Sequence, residues 1–221
     1  MTPIVPALIP KTAALVKTTL LSWSFVHEIH IDVVDGLFVP FTSWPYQPVG
    51  GPLEVKRWTD PFTLEVDLMV EDSVSAARAW VKAGADMLVF HVEGITLEDF
   101  ISVTRELPVS IGIAASNDTP LADLEPYLVY ADYVQLMGIA EIGVQGQPFD
   151  SRVLQRITEL KHCYPQLSIT VDGSVNAETI VSLDHAGANR FICGSAVTTA
   201  PDPAVAYHAL RALISGGKLT G

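Results

Sequence analysis

Apolar and polar positions along the chain alternate in a repeating two-part pattern. Short apolar, β-branched runs recur about every 25 to 30 residues, and each is followed by a stretch whose apolar positions have helical spacing. This alternation predicts repeated β-α units. The predicted strands are 3–9, 28–34, 63–70, 86–91, 109–114, 132–137, 167–172 and 189–194. The predicted helices are 11–22, 52–58, 73–84, 96–105, 121–129, 150–162, 176–186 and 202–214.

Local residue choices support several of these helix ends. Asp72-Ser73 is typical of a helix start, because a short polar side chain can accept a hydrogen bond from a free N–H of the first turn. Lys82-Ala83-Gly84 is typical of a helix end, since glycine readily adopts a left-handed backbone conformation. Asp202-Pro203 is typical of another start, with proline in the first helical position.

The number and character of the strands predict the architecture. The runs at 86–91 and 109–114 are almost continuously apolar, as parallel strands covered by helices usually are. A closed barrel or a doubly wound sheet would satisfy this pattern. The doubly wound fold should carry a glycine-rich turn after its first strand, where this chain has Ala7-Leu8-Ile9-Pro10-Lys11. The sequence therefore predicts one α/β domain over residues 1–221, a (β/α)₈ TIM barrel.

Composition and charge narrow the class of partner. The apolar fraction of 49% and the charged fraction of 17% are those of a compact globular protein. A formal charge of −12 repels phosphate backbones and argues against nucleic-acid binding. No apolar run reaches the roughly 18 to 20 residues that span a bilayer, so no membrane partner is expected. Cys163 and Cys193 lack metal-ligand or disulfide spacing, which favours a cytoplasmic location.

Polar side chains at strand ends are the candidate chemical groups. His30 and Asp32 lie two residues apart on a strand and so point to the same face, into a barrel interior that is normally apolar. An active site or a satisfied core ion pair would explain them. Asp67, His91 and Asp172 come at the ends of three further strands. One imidazole and three carboxylates at one barrel mouth would suit a divalent Zn, Mn, Fe or Co ion.

Glycine turns near the last strands are candidate phosphate sites. Backbone N–H groups in such turns can hold a phosphate without lysine or arginine, and barrels commonly place a phosphate after their last two strands. An anionic ligand is therefore compatible with the acidic composition. The candidate residues are Gly173, Ser174, Gly194 and Ser195, with Gly143 and Gly146 in the stretch Gly143-Val144-Gln145-Gly146-Gln147 after the sixth strand.

One long loop interrupts the regular spacing. The segment from Gly36 to Gly51 is rich in proline and aromatic residues, and it could be a lid or a loop packed on the barrel rim. Trp44, Tyr46 and Trp58 are expected to be exposed and would allow a subunit interface.

These motifs resemble the ribulose-phosphate 3-epimerase family along nearly the whole chain. The first is His30-Ile31-Asp32-Val33-Val34-Asp35-Gly36-Leu37-Phe38-Val39-Pro40. The later ones are Asp67-Leu68-Met69-Val70, Phe90-His91-Val92-Glu93 and Val171-Asp172-Gly173. The resemblance implies a (β/α)₈ barrel that inverts C3 of a five-carbon ketose phosphate, and it suggests a homo-oligomer by analogy.

Carried over to this chain, the resemblance assigns a role to each matching residue. It makes His30, Asp32 and Asp172 metal ligands, with Asp32 and Asp172 also the acid and base pair. Asp67 would be the fourth ligand. Gly173, Ser174, Gly194 and Ser195 would hold the phosphate. Met69, His91 and Met137 are expected to line the site.

Three departures from the family pattern keep alternatives open. Asp67 stands where the family usually has a histidine, Ala7 replaces a serine near the substrate, and the loop 140–147 is altered and one residue longer. The leading hypothesis is metal-dependent interconversion of D-ribulose 5-phosphate and D-xylulose 5-phosphate. The alternatives are epimerisation of another ketose phosphate, such as a hexulose 6-phosphate, and a non-catalytic sugar-phosphate binder. A decarboxylase or aldolase is disfavoured because sites resembling orotidine-phosphate decarboxylase need a lysine among the strand-end carboxylates.

Overall fold

The predicted units close into a barrel. The computed structural model describes residues 3–143 and 146–215, and within them eight parallel strands pair in chain order, the last returning to the first. The strands are β1 Ile4–Leu8, β2 Glu28–Val34, β3 Thr63–Met69, β4 Met87–His91, β5 Ser110–Ala115, β6 Tyr133–Met137, β7 Ile169–Asp172 and β8 Arg190–Cys193. The (β/α)₈ prediction is confirmed.

Helices surround the barrel and follow the predicted order. They are α1 Ala13–Ser22, α2 Lys56–Thr59, α3 Ser73–Lys82, α4 Leu97–Glu106, α5 Leu121–Leu128, α6 Arg152–Cys163, α7 Ile180–Ala186, α8 Ser195–Thr198 and α9 Pro203–Ser215. The predicted helix ends around α3 are confirmed: Asp72 Oδ1 accepts a hydrogen bond from Ser75 N at 3.1 Å, and Gly84 follows with a φ of 101°. None of the described helices is long and apolar enough to cross a membrane.

Three helical segments differ from the sequence prediction. The region 52–58 is a 3₁₀ turn at Pro52–Glu54 followed by the short α2. Helix α7 begins at Ile180 rather than at 176, because the Asn176 side chain accepts a hydrogen bond from Glu178 N at 2.8 Å and forms a turn instead. The four-residue α8 directly after β8 was not predicted.

The barrel interior is polar over much of its length. Outward strand positions such as Ile29, Ile31 and Val33 pack in the main apolar core under the helices. Inward positions alternate with them and carry polar groups on six of the strands, all buried except the partly exposed Asp172. These inward groups are Glu28, His30, Asp32, Glu65, Asp67, His91, Gln135, Thr170, Asp172 and Arg190. The strands therefore hold a polar column along the barrel axis.

Part of the long loop after β2 is packed on the rim. Trp44 is buried, its ring lies edge-on to Trp80 with centroids 6.1 Å apart, and its backbone N–H donates to Pro10 O at 2.8 Å. The expectation that Trp44 is exposed is therefore wrong, because the aromatic ring fills a space between the loop and α3. Tyr46 and Trp58 are partly buried. Around Trp44, the structure therefore agrees with a loop packed on the barrel rim rather than with a lid.

Candidate metal centre and phosphate-binding loops

The structure brings the four predicted metal ligands together. His30 and Asp32 extend inward from β2, Asp67 from β3 and Asp172 from the end of β7. Each offers one ligand atom, and these four atoms all lie within 4.8 Å of one another. Because parallel strands end at the same side of a barrel, residues separated by more than a hundred positions in sequence meet here.

His30 is held at both ring nitrogens. Its Nδ1 lies 2.5 Å from Glu65 Oε2, and its Nε2 lies 3.0 Å from Asp32 Oδ1 and 3.9 Å from Asp67 Oδ2. An ionised carboxylate can only accept, so Nδ1–H donates to Glu65 and Nε2 faces the other two carboxylates. Burial lowers the pKa of His30, but attraction to Glu65 and Asp32 outweighs burial and raises that pKa well above its usual value. Nε2 is thus placed to bind a cation, either a proton or a metal ion.

Asp67 is fixed by a hydrogen bond at each oxygen. Oδ1 accepts from His91 Nε2 at 2.7 Å, and Oδ2 accepts from Gln135 Nε2 at 2.8 Å. The His91 ring also lies against Phe38, with centroids 5.3 Å apart. His91 therefore reaches the centre through Asp67 and supports that carboxylate from behind. Each Asp67 oxygen keeps a further lone pair for a ligand interaction.

The other two carboxyl groups of the centre, those of Asp172 and Asp32, both have raised pKa values. Burial raises the pKa of Asp172 to about 8, with the negative charge of Asp32 adding to the effect and His30 opposing it. Burial likewise raises the pKa of Asp32, although His30 opposes the shift. A raised pKa brings a carboxyl group closer to the pH at which it can both release and accept a proton.

The donor set fits a divalent ion. One imidazole nitrogen and three carboxylate oxygens match the ligand types of Zn, Mn, Fe and Co sites, and the short separations between them allow simultaneous contact. The hydrogen bond from His30 to Glu65 is the outer support that metal-binding histidines usually have. No lysine or arginine is among the described residues that line the adjoining cavity.

A cavity of about 450 Å³ adjoins this centre at the C-terminal ends of the strands. Asp32 and Asp172 are among the residues that line it, and Met69, Met137 and Ile139 add apolar side chains to its lining. All six predicted phosphate-binding residues also line it, namely Gly143, Gly146, Gly173, Ser174, Gly194 and Ser195. The polar centre and the glycine turns therefore border the same space, which is large enough for a small sugar phosphate.

The turn after β7 contains two residues with positive φ angles. Gly173 has a φ of 96°, and a Cβ there would lie 2.7 Å from Ile139 Cγ1, so glycine is required. Ser174 also has a positive φ, 50°, and its hydroxyl donates to the backbone oxygen of Gln147. That donation commits the hydroxyl proton, so Ser174 has its backbone N–H left to offer an anion. Val144 and Gln145, named above within the loop after β6, lie outside the described residues.

Sequence reasoning missed the residues that support the ligands. Glu65, Gln135, Tyr133, Glu28 and Arg190 surround the centre or lie beneath it inside the barrel. The available signal was the alternation of side chains along a strand. Each of these residues points inward, as do the site residues on its own or a neighbouring strand. Which of them touch one another depends on strand register, which the sequence pattern does not specify.

The pKa shifts predict how the metal-free protein responds to pH. The pKa values of Asp172 and His30 are higher in the folded protein than in the unfolded chain. Their stabilising contributions are therefore present at low pH and are lost as pH rises through the folded values, for Asp172 about 8. Between about pH 6 and about pH 9, the Tm of chelator-treated protein should fall by on the order of 5 °C. Added Co²⁺ should raise Tm more at the higher pH, because metal ligands must be deprotonated. A Tm that rises over this range would contradict the prediction.

The chain is similar in sequence to known proteins. Residues 4–198 match the model of the ribulose-phosphate 3 epimerase family. A ribulose-phosphate 3-epimerase of Bacillus subtilis is 37% identical over 191 residues, covering 83% of this chain and 85% of the relative. One of Schizosaccharomyces pombe is 31% identical over 189 residues, covering 83% and 80%.

A solved structure supports the fold alone. KGPDC from Streptococcus mutans superposes with a TM-score of 0.75 at 15% identity, covering 96% of this chain and 97% of that one. At so low an identity the likeness concerns the arrangement of strands and helices.

Proposed function

Because the chain belongs to the ribulose-phosphate 3-epimerase family and is thus a carbohydrate epimerase, we propose that it interconverts D-ribulose 5-phosphate and D-xylulose 5-phosphate. The observation that carries the proposal is the pair Asp32 and Asp172, which approach one cavity from strands β2 and β7. Inversion by removing a proton from one face of a carbon and returning one to the other face needs a proton carrier on each side of the substrate, and this pair would supply them.

The two carboxyl groups exchange roles during the reaction. One, as carboxylate, removes the proton from C3, and the other, as carboxylic acid, returns a proton to the opposite face of the enediolate. Raised pKa values suit both roles near neutral pH. The next turnover can start from the other epimer, because the protonation states of the two groups have then been exchanged.

His30, Asp32, Asp67 and Asp172 would hold one divalent ion of the Zn, Mn, Fe or Co type. Such an ion, when bound, supplies positive charge that stabilises negative charge on the oxygens beside the reacting carbon. In the same proposal, the backbone N–H groups near Gly173, Ser174, Gly194 and Ser195 bind the phosphate, with Gly143 and Gly146 completing the cavity wall. Met69 and Met137 exclude water from one side of the reacting carbon.

The test measures solvent exchange together with metal content. Purified protein, analysed for bound metal, is incubated in deuterated water with each ketose phosphate, and loss of the C3 proton is followed by NMR. We expect exchange and inversion with both pentulose phosphates. A panel including 3-epimeric hexulose 6-phosphates tests the alternative substrate class, which Ala7 in the cavity wall favours because its small side chain leaves extra space. Metal-loaded protein that catalyses no C3 exchange on any of these compounds would be a non-catalytic binder, and the proposal would fail.

The cellular setting completes the proposal. A cytoplasmic location is supported by the rice relative, whose name specifies a cytoplasmic isoform, although the Arabidopsis relative is named as chloroplastic. A homo-oligomer is proposed from the family analogy, and neither a nucleic acid nor a membrane is expected as a partner on the grounds of charge and apolar pattern. Size-exclusion chromatography with light scattering would measure the subunit number.

A further inference from the structure

A buried ion cluster lies inside the barrel on the side of the metal centre towards the N-terminal strand ends. It consists of Glu28 on β2, Glu65 on β3, Tyr133 on β6 and Arg190 on β8. All four residues are nearly inaccessible, with exposures of 5% or less. Burying charged groups at this depth costs free energy, and replacing such clusters with apolar residues is often neutral or stabilising. The cluster therefore calls for an explanation other than stability.

Arg190 holds both carboxylates of the cluster. Its Nε and Nη2 donate to Glu28 Oε1 at 3.0 and 2.7 Å, and its Nη1 donates to Glu65 Oε1 and Oε2 at 3.0 and 2.8 Å. Tyr133 Oη donates to Glu65 Oε1 at 2.5 Å. The Tyr133 ring fits because Gly112 faces it, where a Cβ would lie 2.4 Å from the ring. Hydrogen bonds from Arg190 and Tyr133, together with the positive charge of Arg190, thus hold the Glu65 carboxylate in place.

Glu65 also contacts a residue of the metal centre, His30. Its Oε2 accepts from His30 Nδ1 at 2.5 Å, which directs His30 Nε2 towards Asp32 and Asp67. We propose that Glu65, restrained by Arg190 and Tyr133, is a positioning residue that fixes the tautomer and ring orientation of His30 and thereby strengthens binding of a divalent ion. This inference rests on the metal site of the proposed function.

Comparing variants of Glu65 and Glu28 distinguishes an effect on the position of His30 from an effect on the stability of the protein. Both are buried carboxylates bound to Arg190, and Glu65 in addition accepts the hydrogen bond from His30. In Glu65→Gln, the carboxamide can turn its NH₂ towards Nδ1, which favours the tautomer whose Nε2 carries hydrogen and cannot bind a metal. The matched control is Glu28→Gln, which perturbs the same cluster by the same chemical change.

Co²⁺ binding to the chelator-treated full chain provides the readout, followed by visible absorption, with Tm measured alongside. We expect Glu65→Gln to weaken Co²⁺ binding about 10- to 100-fold and Glu28→Gln to leave it within about threefold of wild type. The two variants should lose similar amounts of Tm. Unchanged Co²⁺ affinity in Glu65→Gln, or an equal loss in both variants, would show that the cluster is only structural and would overturn the inference.

A milder variant covers the case in which Glu65→Gln does not fold. Tyr133→Phe removes only the hydroxyl that restrains Glu65 Oε1, and it should weaken Co²⁺ binding about threefold or more. In that case, unchanged affinity in Tyr133→Phe overturns the inference. If wild-type protein binds no Co²⁺, both the inference and the metal part of the proposed function fail. If the affinities shift as expected but no C3 exchange occurs, the inference stands and the epimerase proposal fails.

Discussion

Asp172→Asn is expected to lose net epimerisation by about 10³-fold or more, because an asparagine cannot exchange a proton with C3. The position is partly exposed to the cavity and borders the same space as Asp32. Since asparagine has nearly the same shape as aspartate, the loss should appear in kcat rather than in stability. Coupled assay of ketose phosphate inversion measures it.

Solvent exchange gives this variant a sharper outcome than loss of rate. With Asp172 changed, Asp32 can still remove and return the C3 proton on its own face, so one epimer should exchange deuterium without inverting. Asp32→Asn should show the mirror behaviour, with exchange confined to the other epimer. NMR spectra recorded from each epimer separately distinguish these results.

A metal analysis and a control variant test whether the loss of activity has another cause, such as loss of the metal. Metal content is determined for both variants, because each change also removes a proposed ligand. Asp132→Asn serves as the matched control, since this carboxylate accepts from Ile111 N at 2.7 Å at the opposite end of the barrel and should leave activity unchanged. If metal-loaded Asp172→Asn exchanges both epimers, Asp172 is not one of the two proton carriers.

The fold could be predicted because its signals are local and repeated. Eight apolar runs with helical stretches between them leave few architectures, and even short strands such as β7 stand out by their apolar character. The helix α8 could not be predicted this way, because four residues are too few for a periodic pattern. The start of α7 was misplaced because one side-chain hydrogen bond at Asn176 competes with the helix.

The part of the site that could be predicted consists of residues that lie on the same strand. His30 and Asp32 share a face by alternation alone, so their convergence needed no tertiary information. The partnership of Glu65 with Arg190 joins residues 125 positions apart, and only the closed barrel register brings them together. Tyr133 was likewise hidden, because its place inside the barrel depends on the space at Gly112. Supporting residues are therefore predicted less well than the ligands they support.

Asp67→Asn is expected to weaken Co²⁺ binding by about 100-fold or more, since it replaces a charged ligand directly rather than an outer support. The family resemblance makes Asp67 an expected metal ligand, so this variant tests whether its carboxylate has that role. The measurement is a Co²⁺ titration of the chelator-treated protein. Epimerase activity at limiting metal should fall in parallel.

The same change should leave the fold almost intact. Asparagine can still accept from His91 Nε2, while its NH₂ would meet the donor Nε2 of Gln135. Gln135 Oε1 has no hydrogen-bond partner among the described residues, so a flip of the Gln135 amide lets it accept from the new NH₂. The cost of about 1–3 kcal/mol for an unpaired buried polar group is thereby avoided. We therefore expect Tm of the metal-free variant to stay within about 3 °C of wild type.

Thr170→Val is the matched control for this prediction. Thr170 faces the same interior beside Gln135 on the paired strand, and its buried Oγ1 lacks a hydrogen-bond partner among the described residues. Removing an unpartnered hydroxyl at constant shape should leave both stability and Co²⁺ affinity unchanged. If Asp67→Asn binds Co²⁺ as tightly as this control does, Asp67 is not a ligand. The ion would then be held by His30, Asp32 and Asp172, with Asp67 serving only to orient His91 and Gln135.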